Sequence, residues 1–138
     1  MKYLVASVAV VALLAFTPRR QDTPLVTVSA ECVEGQLGEH SVSPDTVTAA
    51  QGQDIDWELD DASNATAITV GPKHAGQWPW GGDEKFSGGK GSGHHGKAHG
   101  NRMKNNAKGA YAYNIQLTCP DGNGGTTVVT IDPHIIIH

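Results

Sequence analysis

The chain has 138 residues, a formal net charge of −4, 38% hydrophobic and 17% charged residues, and two cysteines. That length suits one domain and argues against two. The acidic balance argues against nucleic acid as a partner.

Residues 1–24 read as a leader. Lys2 supplies positive charge, residues 3–16 are apolar, and Pro18, Arg19 and Arg20 close the run. At the helical rise the apolar run covers about 21 Å, short of a ~30 Å hydrocarbon core. A signal peptide is therefore expected and no spanning segment in the mature form, which points to a secreted or periplasmic protein. The cleavage site stays open, because Pro18 disfavours a cut after Thr17 and Val28-Ser29-Ala30 lies far from the apolar run. An uncleaved leader would act as an N-terminal anchor.

Residues 25–138 form the domain, and its signals are β signals. Residues 25–32 alternate, with Val26, Val28, Ala30 and Cys32 on one face. Residues 46–49 follow the turn pair Pro44-Asp45, and residues 54–59 alternate with Ile55, Trp57 and Leu59 inward. Residues 66–70 are β-branched until Gly71-Pro72 breaks them. A Gly-, Lys- and His-rich segment over 72–108 reads as one long loop, and loops of that length are functional or disordered. Tyr111, Tyr113, Ile115, Leu117 and Cys119 then fall on every second position before Pro120-Asp121-Gly122. A turn centred on Asn123-Gly124 leads to a strand over 126–131 and a terminal one over 135–137. Many short strands without helices between them predict an all-β fold, an antiparallel Greek-key β-sandwich.

Two cysteines in an exported chain suggest one disulfide. The inward parity of Cys32 matches that of Cys119, which supports the pairing. Free buried thiols are the alternative.

The charge is lopsided. Residues 21–61 carry acids and no Lys or Arg, whereas Lys73, Lys85, Lys90, Lys97, Arg102, Lys104 and Lys108 face only Asp83 and Glu84 over 73–108. Such a basic stretch can neutralise its own domain, a neighbouring copy or a polyanionic surface, or serve simply as a solvated loop.

Val42-Ser43-Pro44-Asp45-Thr46-Val47-Thr48, followed by Gly52 and Ile55-Asp56-Trp57, resembles the opening hairpin of cupredoxins, the blue-copper sandwich family. Gly109, Tyr111, Tyr113 and Cys119 resemble that family's late strand. The resemblance implies a cupredoxin-like fold and, in the family, a copper centre of one thiolate, two imidazoles and an axial thioether. This chain departs from it there. No His follows the Trp57 strand through Ile68, the first His after Cys119 is His134, and Met1 and Met103 both precede Cys119. A type 1 copper site, and electron transfer through one, is not expected.

A different metal site is the alternative: His94, His95 and His99 converging in the flexible loop on Cu(II), Ni(II) or Zn(II). Against it stand the ordering cost of a Gly-rich chain, the nearby cations and the lack of a carboxylate or thiol to complete the shell. Trp78 and Trp80 either plug the end of the sandwich or form an exposed platform for a sugar or a protein. Asn64-Ala65-Thr66 matches a glycosylation sequon. No Ser or Cys nucleophile sits beside a recognisable base, so no enzyme is expected. Ile135, Ile136 and Ile137 place apolar groups on both faces of the last strand. That strand is then either covered on both sides within the domain or meets another chain through its edge and outer face.

Together these features predict a non-catalytic exported protein, without a cofactor, acting by binding or self-assembly. Its partner is another copy, an envelope or extracellular protein, or a polyanion. Trp78, Trp80, Lys85, Lys90, Lys97, Arg102, Lys104, Ile135 and Ile137 are the candidate contact residues.

Overall fold

The computed structural model describes residues 22–137 except 51, 92, 93, 102 and 105; at 94, 95, 132–135 and 137 it describes backbone only. Residues 1–21, most of the expected leader, and Arg102 lie outside the described residues. No helix among the described residues is long and apolar enough to cross a membrane.

The chain forms β1 (Leu25–Val33), β2 (Gln36–Ser43), β3 (Thr46–Thr48), β4 (Ile55–Leu59), β5 (Ala67–Pro72), β6 (Phe86–Gly91), β7 (His94–His95), β8 (Lys97–Gly100), β9 (Ala110–Pro120) and β10 (Thr126–Ile137). They build two mostly antiparallel sheets, ordered β2-β1-β4-β8 and β3-β10-β9-β5-β6-β7. Two pairings are parallel, β1 with β4 and β3 with β10. The chain passes from the first sheet to the second between β2 and β3, through the cis Ser43–Pro44 peptide.

Sequence alternation places the core between the sheets. Val26, Val28, Ala30 and Cys32 are buried on β1, Ile55, Trp57 and Leu59 on β4, and Tyr113, Ile115, Leu117 and Cys119 on β9. Intervening residues of β4 and β9 are only partly buried, the two-residue period of a sheet with one face on the core. The Cys32–Cys119 disulfide joins β1 to β9 and so ties the sheets together.

One expectation changes, one open alternative is decided and one strand is added. The segment 72–108 is not one loop, because it holds β6, β7 and β8. Its glycines serve close approach as well as freedom: a Cβ on Gly88 would lie 1.9 Å from the Lys97 carbonyl oxygen. Only glycine lets β6 of one sheet lie against β8 of the other, which closes that side of the sandwich. The terminal isoleucines do not form a free edge either, since 135–137 pair on one side with β9 and on the other with β3. Ile136 is fully buried. Finally, β2 has little apolar signal in sequence because it is an edge strand; its pairing shifts register opposite Ala30 and Cys32.

Candidate functional site

The end of the sandwich where β1 and β9 finish is closed by the disulfide. Cys119 is fully buried and Cys32 nearly so. β4 stops at Leu59 while β1 runs on to Val33, so β1 loses its strand neighbour there. The turn after β4 takes over. Ser63 Oγ donates to the Ala30 carbonyl at 2.9 Å, and the Asn64 side chain bonds both backbone groups of Cys32. Asp60 Oδ1 holds the turn by accepting from the N–H groups of Ala62 and Ser63 at 2.7 and 2.9 Å. The Lys90 ammonium donates to the carbonyls of Asp60 and Ser63 at 3.1 and 2.5 Å. Neither sulfur is a thiolate, so this end offers a metal no soft anionic ligand. Lys90, a candidate contact residue in sequence, is an internal strut.

The candidate histidines fall on two sheets. His94 and His95 occupy β7, opposite Gly91 and Lys90 of β6, whereas His99 lies on β8 opposite Asp56 of β4. The His99 Nδ1 contacts Asp56, and its Nε2 lies 3.4 Å from Asp54. With carboxylates at opposite nitrogens of the ring, the three groups do not converge on one point. Lys97 Nζ bonds the other Asp56 oxygen at 3.1 Å, so Lys97 and His99 share the Asp56 carboxylate between them. No group of three or more His, Cys, Asp or Glu among the described residues is arranged to hold a metal ion.

Trp78 and Trp80 form no exposed platform, being 4% and 6% exposed. They plug the opposite end of the sandwich, with ring centroids 4.7 Å apart, and Trp80 packs on Phe86 at 5.0 Å and on Trp57 at 6.0 Å. A Cβ on Gly100 would lie 2.6 Å from the Trp80 ring, so β8 reaches the plug only as glycine. Tyr113 meets Trp57 edge-on at 5.7 Å. Burial pushes the Tyr113 phenol up to about 12; the neighbouring Trp57 indole offsets part of this, and Asp45 adds to it.

The exposed surface carries charge of both signs, with Asp22, Asp83 and Glu84 exposed near the lysines of the tryptophan end. Lys73 follows β5, Lys85 lies over Gly71, Lys104 bonds the Pro79 carbonyl through its backbone N–H, and Lys108 flanks Tyr111. All are exposed, Lys85 on the outer sheet face beside Asn114 and Gln116 and the others toward the tryptophan end, and none forms an ion pair among the described residues. At the disulfide end Glu31, Glu34, Glu39 and Asp61 are exposed and equally without ion pairs among the described residues. Glu31 and Glu39 line an open groove of about 950 Å³ with His40, Ser41, Ala62 and Asn64. Sequence reading found the basic stretch but not this groove. It is made by an irregular β1–β2 pairing and by a turn about thirty residues away from β1 in the chain, which no local pattern announces.

No family model matches the chain, and no curated protein or solved structure matches it.

Proposed function

We propose that this chain is an exported, cupredoxin-like sandwich without a type 1 copper centre, acting without catalysis by binding or assembly. The observation that carries the reading is the Cys32–Cys119 bond. It occupies the thiol that the family resemblance would assign to copper, at a position with no His or Met beside it. The fold part is supported by the β2-β1-β4-β8 order, the parallel β1–β4 and β3–β10 pairings and the crossing of the chain between sheets from β2 to β3. Export is supported by the disulfide, which an oxidising compartment maintains, together with the apolar leader.

A divalent-metal role for the histidines is the competing proposal, and the engagement of His99 by Asp54 and Asp56 counts against it. Calorimetric titration with Cu(II), Ni(II) and Zn(II) compares the wild type with the His94→Ala/His95→Ala/His99→Ala variant. Equal, weak binding by both supports the non-metal reading. Tight uptake of one equivalent that the variant loses would replace it with the metal reading.

A further inference from the structure

The geometry points to Asn123 as a self-modification site: in the folded protein its side-chain amide is lost through a succinimide formed with the Gly124 backbone nitrogen, leaving aspartate and isoaspartate. The inference goes beyond the binding reading and stands apart from it, since it concerns a reaction of this chain with water.

The turn between β9 and β10 is pinned on both sides of the reacting amide. Asp121 Oδ1 accepts from the N–H groups of Asn123 and Gly125 at 2.7 and 3.0 Å, and the Asp121 N–H donates to the Gly125 carbonyl at 3.1 Å. Between the two held amides, the Gly124 N–H has no hydrogen bond among the described residues, and the Asn123 side-chain amide has none either. Both residues are exposed, and a Cβ added to Gly124 would meet nothing within 4 Å. A bonded amide must give up its partner before it reacts; this one has no partner to give up. Gly124 also has no side chain to shield its nitrogen, and its φ of 84° is one that few other residues adopt.

The reaction balances with water alone. The Gly124 nitrogen gives its proton to solvent base and attacks Asn123 Cγ, closing a five-membered ring. The Cγ–Nδ2 bond breaks, and the leaving nitrogen takes protons from solvent and departs as ammonia. Water then opens the ring: cleavage of the new N–Cγ bond gives aspartate, and cleavage of the original peptide bond gives isoaspartate.

The other asparagines are held or shielded. The Asn64 side chain bonds both backbone groups of Cys32 and precedes the buried Ala65. Asn114 lies within β9, opposite Gly71 of β5, and precedes Ile115. Asn101, Asn105 and Asn106 precede Arg102, Asn106 and Ala107, each with a side chain over its nitrogen. Residues 122–128 are exposed, so a carboxylate formed at 123 meets water and adds a negative charge to the surface. Isoaspartate also routes the backbone through the former side chain, which places an extra methylene between Asp121 and Gly125, the residues whose mutual bond closes the turn.

The experiment is a time course of the purified full chain at mildly alkaline pH, folded and in urea, with an Asn123→Gln variant whose longer side chain disfavours the five-membered ring. Circular dichroism establishes that the native samples are folded. After reduction and cleavage at lysine, the peptide over 109–138 carries both Asn114 and Asn123, and fragmentation by mass spectrometry locates any exchange of amide for acid. An isoaspartyl-specific methyltransferase reads the isoaspartate. In the folded protein Asn123 is expected to react about tenfold or more faster than Asn64 or Asn114, and within a few-fold of its own rate in urea. The variant is expected to lose the methyltransferase signal. A folded protein that keeps its Asn123 amide while the urea sample loses it overturns the proposal, as does an equal isoaspartate yield in Asn123→Gln.

Discussion

The Asn64 side-chain amide completes the backbone of Cys32: its Oδ1 accepts from the Cys32 N–H at 2.6 Å and its Nδ2 donates to the Cys32 carbonyl at 2.8 Å. One planar amide thus stands in for the strand that β4 does not supply, next to the bond that joins the sheets. Asn64→Ala leaves both groups unpaired and is expected to cost about 1–3 kcal/mol, read as a lower urea midpoint at unchanged m-value. Asn64→Asp keeps the acceptor but sets a carboxylate against the Cys32 carbonyl, so it is expected to recover little of the loss. Wild-type stability in both variants would deny the amide its structural role.

Gly88 is expected to tolerate no side chain. Its Cβ would lie 1.9 Å from the Lys97 carbonyl oxygen and 2.4 Å from the carbonyl carbon, and both are backbone atoms that cannot swing aside. Gly88→Ala should destabilise by about 3 kcal/mol or more through forced separation of β6 and β8. Gly91→Ala, with nothing within 4 Å of the added carbon, is the control and should change little. Equal midpoints for the two variants would contradict the close approach.

Alkaline pH is expected to weaken the fold through Tyr113. Its phenol is raised to about 12 chiefly by burial, so the native state holds its proton at pH values where the unfolded chain, near the ordinary 10, releases it. Stability is then fully present below about pH 10 and declines between about 10 and 12, by roughly 2–3 kcal/mol in all. Tyr113→Phe should flatten that part of the profile, measured by urea denaturation at successive pH values. An unchanged alkaline slope in the variant would assign the effect to other groups.

Removing the disulfide is expected to be costly because it spans 87 residues of sequence. The chain-entropy account gives on the order of 4 kcal/mol for so long a loop. Cys32→Ala/Cys119→Ala should therefore unfold at a much lower denaturant concentration. A midpoint within error of the wild type would show that the bond contributes little beyond the packing around it.

The sandwich was legible wherever one face of a strand is apolar. Val26, Val28, Ala30 and Cys32, then Ile55, Trp57 and Leu59, then Tyr113, Ile115, Leu117 and Cys119 gave the core strands and the pairing parity of the cysteines, and all of these residues are buried. What sequence reading missed depends on contacts distant in the chain. Gly88 looked like flexibility, yet it is small because another backbone touches it. The terminal isoleucines left internal coverage and an outside partner both open because nothing local says that β3 pairs alongside them. Asn64 looked like a sequon because its partner, Cys32, lies in a different strand. The uneven charge was visible along the chain, but which acids lie near which lysines required the strand directions.

The central claim, that Cys119 is a staple and not a copper ligand, is tested most directly by the visible spectrum of the unreduced protein after one equivalent of Cu(II). The account predicts no intense thiolate-to-copper absorption, because both sulfurs are held in the Cys32–Cys119 bond. An intense blue band that disappears in Cys119→Ala would contradict it.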